Sequence, residues 1–434
     1  MSILFRPVRH RLQPHRLQLH RPRQRRLITA LAGLASLALV GCRPGTDGLQ
    51  VPTVLYIAIA ANNDQTVNAE LREDYQEKLG LMQVGFRQLY PGSTFQLGVY
   101  PGQTMARAMQ NRIAAGLEPD LLFVSGDMAL QLLRSGLVDP FPTDPALLNQ
   151  FDPTLIRRLR DHKGRLAGLP VLIQTQLACF NRRQLAEAPR TLTELLEVSA
   201  SGQEVGLPLT PFNLLWSAGS IGAIPALERL ARRQPVSAAD AQKLEEWLAW
   251  LQNASHQQRV TFFGNQELTD TEFMAGRLAW IPCRSTMLPL MRRHLGTHLG
   301  VAPLPDGPAD RASPVNRLRV IALGRNSSAS GRQRALAFSL YGVNPLTQRG
   351  LTLGSQTVLP ANRFVTVPVQ SSQILRTLED ASVQGKRADA LVALLHGSEH
   401  RLPRLQGLLT RLVFGDIAVS TARQQLMQIL NDTP

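Results

Sequence analysis

The chain has 434 residues, of which 44% are hydrophobic and 18% are charged, and its formal net charge is +15. This length exceeds what one hydrophobic core usually organises, so we expect two lobes. Eight arginines and no acidic residue lie in residues 1–41, and the rest of the chain carries 39 basic and 32 acidic residues. Proteins that bind nucleic acids more often show a basic stripe interleaved with aromatic residues. Because aromatic residues are only 5% of the chain and the remaining charge is diffuse, we predict no nucleic-acid partner.

The N-terminal segment, residues 1–41, has the pattern of an export signal. Its basic stretch, residues 1–26, precedes an apolar run at 27–41 that is shorter than the ~20 residues needed to span a bilayer. The run ends in LVGC at residues 39–42, which resembles the lipobox of bacterial lipoproteins. That resemblance implies cleavage before Cys42 and acylation of its thiol, with residues 42–50 as a tether. The alternative is an uncleaved N-terminal anchor helix.

After the tether, strands and helices alternate. The predicted strands are 51–60, 94–100 and 120–124, and the predicted helices are 73–89, 103–115 and 128–135. This alternation is typical of βαβ units, in which helices cover a parallel sheet. Ligands of such sheets bind beyond the carboxyl ends of the strands. The sequence therefore places a candidate binding site after Ala61 and around Ser125.

The second half of the chain repeats this organisation less regularly. Residues 168–181 form a long extended stretch, and Thr191 with Glu194 has the spacing of a capping box at the start of a helix. Further elements are an amphipathic helix at 238–252, a helix end, turn and strand at 272–282, a strand at 318–323, a helix that ends near 341, and mainly helices from there to 434. The predicted fold class is therefore α/β throughout.

The three cysteines, Cys42, Cys179 and Cys283, show no spacing typical of a metal site, and we predict no metal and no cofactor. Cys179 and Cys283 could pair, but both have apolar neighbours that suit buried free thiols. We favour the free thiols.

The sequence lacks the common motifs of an enzyme. The HExxH, GxSxG and P-loop patterns are absent. His294 and His298 are four residues apart and could bind zinc weakly, but a solvated helix face is the interpretation we favour. We therefore predict that the protein is not an enzyme.

Five blocks of sequence follow one another in a recognisable order. They are 103–142, which contains AAGLEPDLLFVSGDMALQLLRSGLVDPF, 162–181 (HKGRLAGLPVLIQTQLACFN), 273–280 (FMAGRLAW), 300–305 (GVAPLP) and 358–360 (VLP). In this order and behind a lipobox, they resemble the extracellular solute-binding proteins of ABC importers, specifically the sugar-type family that includes the maltose-binding protein. The chain departs from the family at Arg182-Arg183, where Lys-Asp is usual, and at Trp280, where a smaller or more flexible residue is common.

The resemblance implies a two-lobed periplasmic-binding-protein-like fold with a three-segment hinge. Matching the blocks gives a lobe one of 51–173 plus 305–345 and a lobe two of 175–300 plus 346–434. By this analogy a small polar solute, a sugar or polyol, would lie between the lobes, which close by a hinge motion. The implied partners are that solute, the permease subunits of an ABC importer, and a membrane that holds the periplasmic protein through Cys42.

Polar residues at the predicted strand ends are the first candidates for ligand binding. Asn62 and Asn63 follow the first strand, and Ser125 and Asp127 follow the third. An amide supplies both a donor and an acceptor, and a carboxylate accepts hydrogen bonds from hydroxyls. Each candidate has an alternative role, because asparagine suits a turn and Asp127 suits the cap of the helix that begins at Met128.

The remaining candidates lie at or beyond the first crossing segment. Gln174 is in that segment, where the resemblance implies a polar ligand contact, and an exposed hinge residue is the alternative. Asn213 and Trp216 follow the predicted strand 205–209. Trp216 could stack on a sugar ring, although packing in a core is the commoner role of tryptophan. Arg284 could reach a hydroxyl or an anionic group. The other three tryptophans are expected to pack.

The sequence thus predicts a lipid-anchored binding component of an ABC importer. The alternative is a lipoprotein that has kept the binding-protein fold for an assembly or sensing role.

Overall fold

The computed structural model describes residues 53–61, 66–308, 310–398 and 400–432. The predicted export signal, Cys42 and the candidates Asn62 and Asn63 lie outside these ranges. Within them, every helix is too short or too polar to cross a membrane. The described residues form two α/β lobes, each built on one β-sheet.

The elements of the described ranges are as follows. The strands are β1 (Thr53–Ala60), β2 (Ser93–Tyr100), β3 (Leu121–Ser125), β4 (Val138–Asp139), β5 (Leu169–Gln174), β6 (Gln176–Asn181), β7 (Val205–Pro208), β8 (Val260–Phe263), β9 (Trp280–Arg284), β10 (Leu299–Ala302), β11 (Arg317–Gly324) and β12 (Leu359–Pro360). The helices are α1 (Ala69–Leu89), α2 (Met105–Ala114), α3 (Gly126–Arg134), α4 (Pro145–Leu148), α5 (Pro153–Arg158), α6 (Leu192–Ala200), α7 (Pro211–Ile221), α8 (Ile224–Ala231), α9 (Ala238–Ser255), α10 (Gln266–Met274), α11 (Leu288–Leu295), α12 (Ala329–Val343), α13 (Pro345–Ser355), α14 (Gln373–Gly385), α15 (Asp389–His396), α16 (Arg401–Val413) and α17 (Val419–Asn431). Short 3-10 turns lie at Gly102–Thr104, Ser285–Met287, Gly296–His298 and Lys386–Ala388.

The sheet of lobe one has the strand order β12-β5-β11-β3-β1-β2, and β4 pairs with β11. β1 runs parallel to both β2 and β3, while β11 is antiparallel to β3 and β5. β1 reads as a nearly continuous apolar run because helices cover both faces of such a sheet. Its residues from Ile57 to Ala60 are accordingly buried. Since β1, β3 and β5 run in the same direction, their carboxyl ends meet at one edge of the sheet.

Helix α1 packs on this sheet and forms one wall of the cavity between the lobes. The Asn68 side chain caps its start by accepting a hydrogen bond from the amide of Leu71. Leu79, Met82 and Phe86 are buried, as their helical spacing predicts. Leu89 shares that spacing but is 63% exposed, because it lies in the last turn of the helix.

The sheet of lobe two has the order β10-β6-β9-β7-β8. β6 is antiparallel to β9 and β10, and β7 is parallel to β8 and β9. The cap predicted at Thr191 is present, since its side chain accepts a hydrogen bond from the amide of Glu194. The carboxylate of Glu194 accepts its return bond from the amide of Arg190, one residue before the cap.

Cys179 and Cys283 form a disulfide, so the expectation of two free thiols is wrong. The two residues lie on the neighbouring strands β6 and β9 and are separated by 104 residues in sequence. Both are fully buried, as their apolar neighbours suggest. Burial alone does not decide between a thiol and a disulfide; the pairing of the two strands does.

The chain crosses between the lobes three times. The crossings lie between β5 and β6 at Thr175, between β10 and β11, and between β12 and α14. β12 pairs with β5 in the sheet of lobe one. Residues 345–360 therefore pack with lobe one, whereas the sequence placed them in lobe two from residue 346. Below, lobe one means 53–174 and 317–361, and lobe two means 176–302 and 373–432.

Candidate ligand-binding cleft

A cavity of about 740 Å³ lies between the two lobes. Lobe one lines it with α1 and with residues near the ends of β3, β5 and β11. Lobe two lines it with α10, the end of β9 and α11. This position agrees with the sequence-based expectation of a site beyond the carboxyl ends of the strands.

Residues at two of the crossings line the cavity. Gln174, the last residue of β5, lies on its wall and is half-buried. Thr357 and Val358, which precede β12, line it from the third crossing. Because residues of the hinge reach the cavity, a solute in it would contact the segments that must bend when the lobes move.

A buried ion pair lies on the lobe-two side of the cavity. A guanidinium nitrogen of Arg284 is 3.5 Å from a carboxylate oxygen of Asp270, and the two side chains are 3% and 2% exposed. The side-chain amide nitrogen of Gln266 donates hydrogen bonds to the Asp270 carboxylate and to the carbonyl of Pro282, both at 2.8 Å. These contacts hold the Asp270 carboxylate in place, and Asp270 offsets the charge of Arg284.

Arg319 has a similar position on the lobe-one side. Its Nη2 donates hydrogen bonds to the carbonyl oxygens of Ala60 at 2.9 Å and Phe123 at 3.2 Å. Its guanidinium carbon lies 4.9 Å from the centre of the Phe123 ring and 5.7 Å from that of Tyr75. Carbonyl groups and aromatic rings therefore stabilise this buried cation.

An acidic stripe runs along the part of α1 that lines the cavity. Glu70, Glu73, Asp74 and Glu77 have the spacing of one helix face, and all four line the cavity. Asp74 pairs with Lys78 of the same helix at 2.6 Å. Glu70 pairs with Arg293 of lobe two at 3.0 Å, so an exposed ion pair between two cavity-lining residues joins the lobes. Exposed pairs of this kind contribute little to stability.

A second contact between the lobes is more deeply buried and lies beside α5 and α15. Arg158 of lobe one donates to Asp389 of lobe two at 2.7 Å and to the carbonyl of Asn316, in the second crossing, at 2.8 Å. Burial lowers the pKa of Arg158 and raises that of Asp389, although each partner opposes the shift of the other. Both shifts favour the neutral form, so the desolvation of this pair outweighs its mutual attraction.

Asp127 and His396 also face each other between the lobes, with 3.8 Å between the carboxylate and the imidazole. The His396 ring lies 4.5 Å from that of Phe212. Burial, opposed by Asp127 and reinforced by nearby arginines, lowers the pKa of His396 below 6.5. Burial alone would raise the pKa of Asp127. The charge of His396 and a hydrogen bond from Ser125 contribute to the opposite effect, and the pKa is lowered below 3.8.

The structure brings together some of the sequence-predicted site residues. Gln174 and Arg284 line the cavity. Ser125 and Asp127 lie at the second contact between the lobes, where Asp127 faces His396, and they do not line the cavity. Asn213 is buried nearby, where its side-chain oxygen accepts hydrogen bonds from Gln176 and Arg317.

Trp216 lies in the core of lobe two. Its side chain is fully buried, and its ring centre is about 6 Å from those of Trp250 and Trp280. This position does not support the stacking role expected of Trp216. Trp280 is buried in the same core, as predicted.

Sequence reasoning missed several residues that line the cavity: Tyr75, Phe123, Arg319, Glu267, Thr286 and Thr357. The acidic stripe on α1 had a visible signal, since Glu73, Asp74 and Glu77 recur at helical spacing in the predicted helix 73–89 and Glu70 lies just before it. The threonines had none, because their positions depend on the paths of the crossing segments.

The described residues contain no group of three His, Cys, Asp or Glu side chains arranged to hold a metal ion.

Comparisons with known proteins bear on the fold. No protein-family model matches the chain. The maltotriose-binding protein of Pyrococcus abyssi is 32% identical over 97 residues, which are 22% of this chain and 21% of that protein. The release factor glutamine methyltransferase of Nitratidesulfovibrio vulgaris is 31% identical over 118 residues, 26% of this chain and 39% of that protein. The chain thus spans about a fifth and two fifths of the lengths of these curated relatives.

Solved structures resemble the chain over most of its length. The GacH receptor of Streptomyces glaucescens, solved without ligand and with acarbose, has a TM-score of 0.70 and 16% identity, and the match covers 88% of this chain and 100% of that one. At this identity the likeness shows the fold alone. It confirms the predicted two-lobed periplasmic-binding-protein-like architecture.

Proposed function

We propose that the chain is an exported binding protein that captures a small, uncharged polar solute, a sugar or polyol, between its lobes and delivers it to the permease of an ABC importer. The observation that carries the proposal is the cavity of about 740 Å³, which both lobes and the hinge line with polar side chains. Its volume falls in the usual range for small-molecule sites. The sugar-type receptors that share the fold support this choice of ligand.

The charges of the cavity favour an uncharged solute. Six carboxylates and five lysines or arginines line it, so neither sign dominates. Arg284 faces Asp270, and Arg319 donates to backbone carbonyls. An anion or a polyamine would be bound best by a surplus of the opposite charge. Amides, hydroxyls and carboxylates instead suit a ligand whose hydroxyls both donate and accept.

Binding would act through the hinge. A ligand shifts the equilibrium between open and closed lobes only if it binds the closed state more tightly. The cavity provides this difference, because a solute in it touches α1 of lobe one and α10 of lobe two together. The closed lobes would then present a joined surface to the permease, and no covalent step is required.

The disulfide supports export. Disulfides persist in oxidising compartments such as the periplasm and are rare in the cytosol. The Cys179–Cys283 bond therefore fits the predicted signal at 1–41. Lipid anchoring at Cys42 is tested by fractionating cells that express the wild type or Cys42→Ser. We expect the wild type in membranes and the variant in the soluble periplasmic fraction; equal distribution would contradict the anchor.

Solute binding is tested by thermal shift and calorimetry with maltose, maltotriose, trehalose, myo-inositol and spermidine. A solute at 100 times its Kd stabilises the folded state by about 2.7 kcal/mol, which raises Tm measurably. Gln174→Leu is expected to weaken the binding of the sugar that gives a shift. Gln258→Leu is the matched control, because Gln258 is exposed and does not line the cavity. A shift with spermidine alone would contradict an uncharged solute.

The alternative is an assembly or sensing lipoprotein that has lost its ligand, and one observation favours it. Arg158 and Asp389 form a buried ion pair that joins the lobes directly, with no solute between the two groups. This role predicts no shift with any of the solutes and no change in the radius of gyration on adding them. Capture of a defined protein partner would then support it.

A further inference from the structure

Two threonine hydroxyls from opposite lobes lie on the wall of the cavity without a hydrogen-bond partner among the described residues. They belong to Thr286, just after β9, and Thr357, just before β12. Thr357 is only 5% exposed. A buried hydroxyl that bonds to nothing is unfavourable, so native proteins leave few of them.

The fold places both threonines beside the first crossing. The amide of Ser285 donates to the carbonyl of Thr175 at 3.0 Å, which fixes Thr286 one residue away. Leu359 of β12 is paired with Ile173 of β5 in antiparallel register. Extending this register by two residues in each strand places Thr357 opposite Thr175. Thr286 and Thr357 therefore flank the same short segment, which also carries Gln174.

We propose that Thr286, Thr357 and Gln174 form a subsite that recognises neighbouring hydroxyl groups of the solute at the hinge end of the cavity. This inference rests on the proposed function and names the residues that select within it. A threonine hydroxyl rotates to donate or to accept, and a glutamine amide does both at once. The three groups therefore match a pair of adjacent ring hydroxyls, each of which is also a donor and an acceptor.

The subsite also links recognition to closure. Thr286 belongs to lobe two, and Thr357 and Gln174 belong to lobe one at two of the three crossings. A pair of hydroxyls bound by both threonines bridges the lobes close to their pivot. A solute that lacks these hydroxyls can occupy the cavity but loses this bridge.

The test replaces the hydroxyls with methyl groups. Thr286→Val and Thr357→Val keep the shape of each side chain and remove only its hydrogen bonding. Thr175→Val is the matched control, because its hydroxyl is also buried and unpartnered but does not line the cavity. All three are made in the full chain, and calorimetry measures the Kd for maltose, maltotriose, trehalose and myo-inositol.

We expect Thr286→Val and Thr357→Val each to raise the Kd about ten-fold, the change that one hydrogen bond of ordinary strength produces, and Thr175→Val to leave it within about two-fold. The ligand-free variants should melt at the wild-type temperature or above it, because no internal hydrogen bond is removed. Unchanged affinity of both cavity variants, or a Tm several degrees lower, would overturn the subsite while the proposed function stands. If the wild type itself binds none of the four solutes, both are overturned.

Discussion

The disulfide of lobe two should contribute strongly to stability, since it joins two strands that are far apart in sequence. Cys179 and Cys283 are separated by 104 residues. In the chain-entropy description, closing a loop of about 100 residues stabilises the folded state by about 4.7 kcal/mol at 25 °C. Measured values are often somewhat smaller. We therefore expect Cys179→Ala with Cys283→Ala to lower the free energy of unfolding by about 3–5 kcal/mol.

Urea unfolding in a Cys42→Ser background measures this difference, because that background leaves only Cys179 and Cys283. The free energy in water follows from linear extrapolation. Reduced protein with both cysteines serves as the control, since it loses the bond but keeps the side chains. Thiol titration of unfolded, unreduced protein should find no free thiol. A difference below about 1 kcal/mol would refute the chain-entropy reasoning, and two free thiols would show that the bond itself is absent.

Two further predictions concern the buried contact between the lobes. Asp389→Asn should lower the free energy of unfolding by about 3 kcal/mol, because it leaves the buried Arg158 guanidinium without its counter-charge. The double variant Asp389→Leu with Arg158→Met should leave that free energy within about 1 kcal/mol of the wild type or raise it. Urea unfolding of the wild type and both variants measures the differences, and equal losses in the two variants would contradict the argument. The free energy of unfolding should also fall as the pH drops from 7.5 to 5, because the pKa of His396 is lowered from 6.5 in the folded state. Above pH 6.5 the histidine is neutral in both states. Below it the unfolded chain takes up a proton first, so stability is lost until the pH reaches the lower folded-state pKa. Asp127, whose pKa is lowered from 3.8, does not titrate in that range, so His396→Gln should flatten the profile, and an unchanged slope would assign it to another group.

The sequence predicted the fold well where hydrophobic pattern and length determine the structure. The three strands and three helices predicted between residues 51 and 135 occur within a few residues of their expected ends. Gln174 was proposed because the family resemblance implies a polar contact in the first crossing segment, and Arg284 because it lies near the FMAGRLAW turn; both line the cavity. The position of the cleft follows from strand order alone.

The errors arise where contacts distant in sequence decide the outcome. Trp216 follows a strand end, as a ligand contact would, yet it packs between Trp250 and Trp280. The disulfide depends on which strands become neighbours. β12 has only two residues, too few for a hydrophobic pattern, so its pairing with lobe one could not be read from the sequence.

A binding protein of this kind works only if its open and closed states differ by a few kcal/mol, since a solute shifts their ratio by no more than its differential affinity. The contacts between the lobes meet that condition. The Glu70–Arg293 pair is about half exposed at each side chain, so water and salt screen it. The Arg158–Asp389 pair is buried, but its desolvation offsets its attraction, as the pKa shifts of both groups indicate. Neither of these two ion pairs is strong enough to hold the lobes shut, so under the proposed function the solute's own contacts with both lobes decide whether they close.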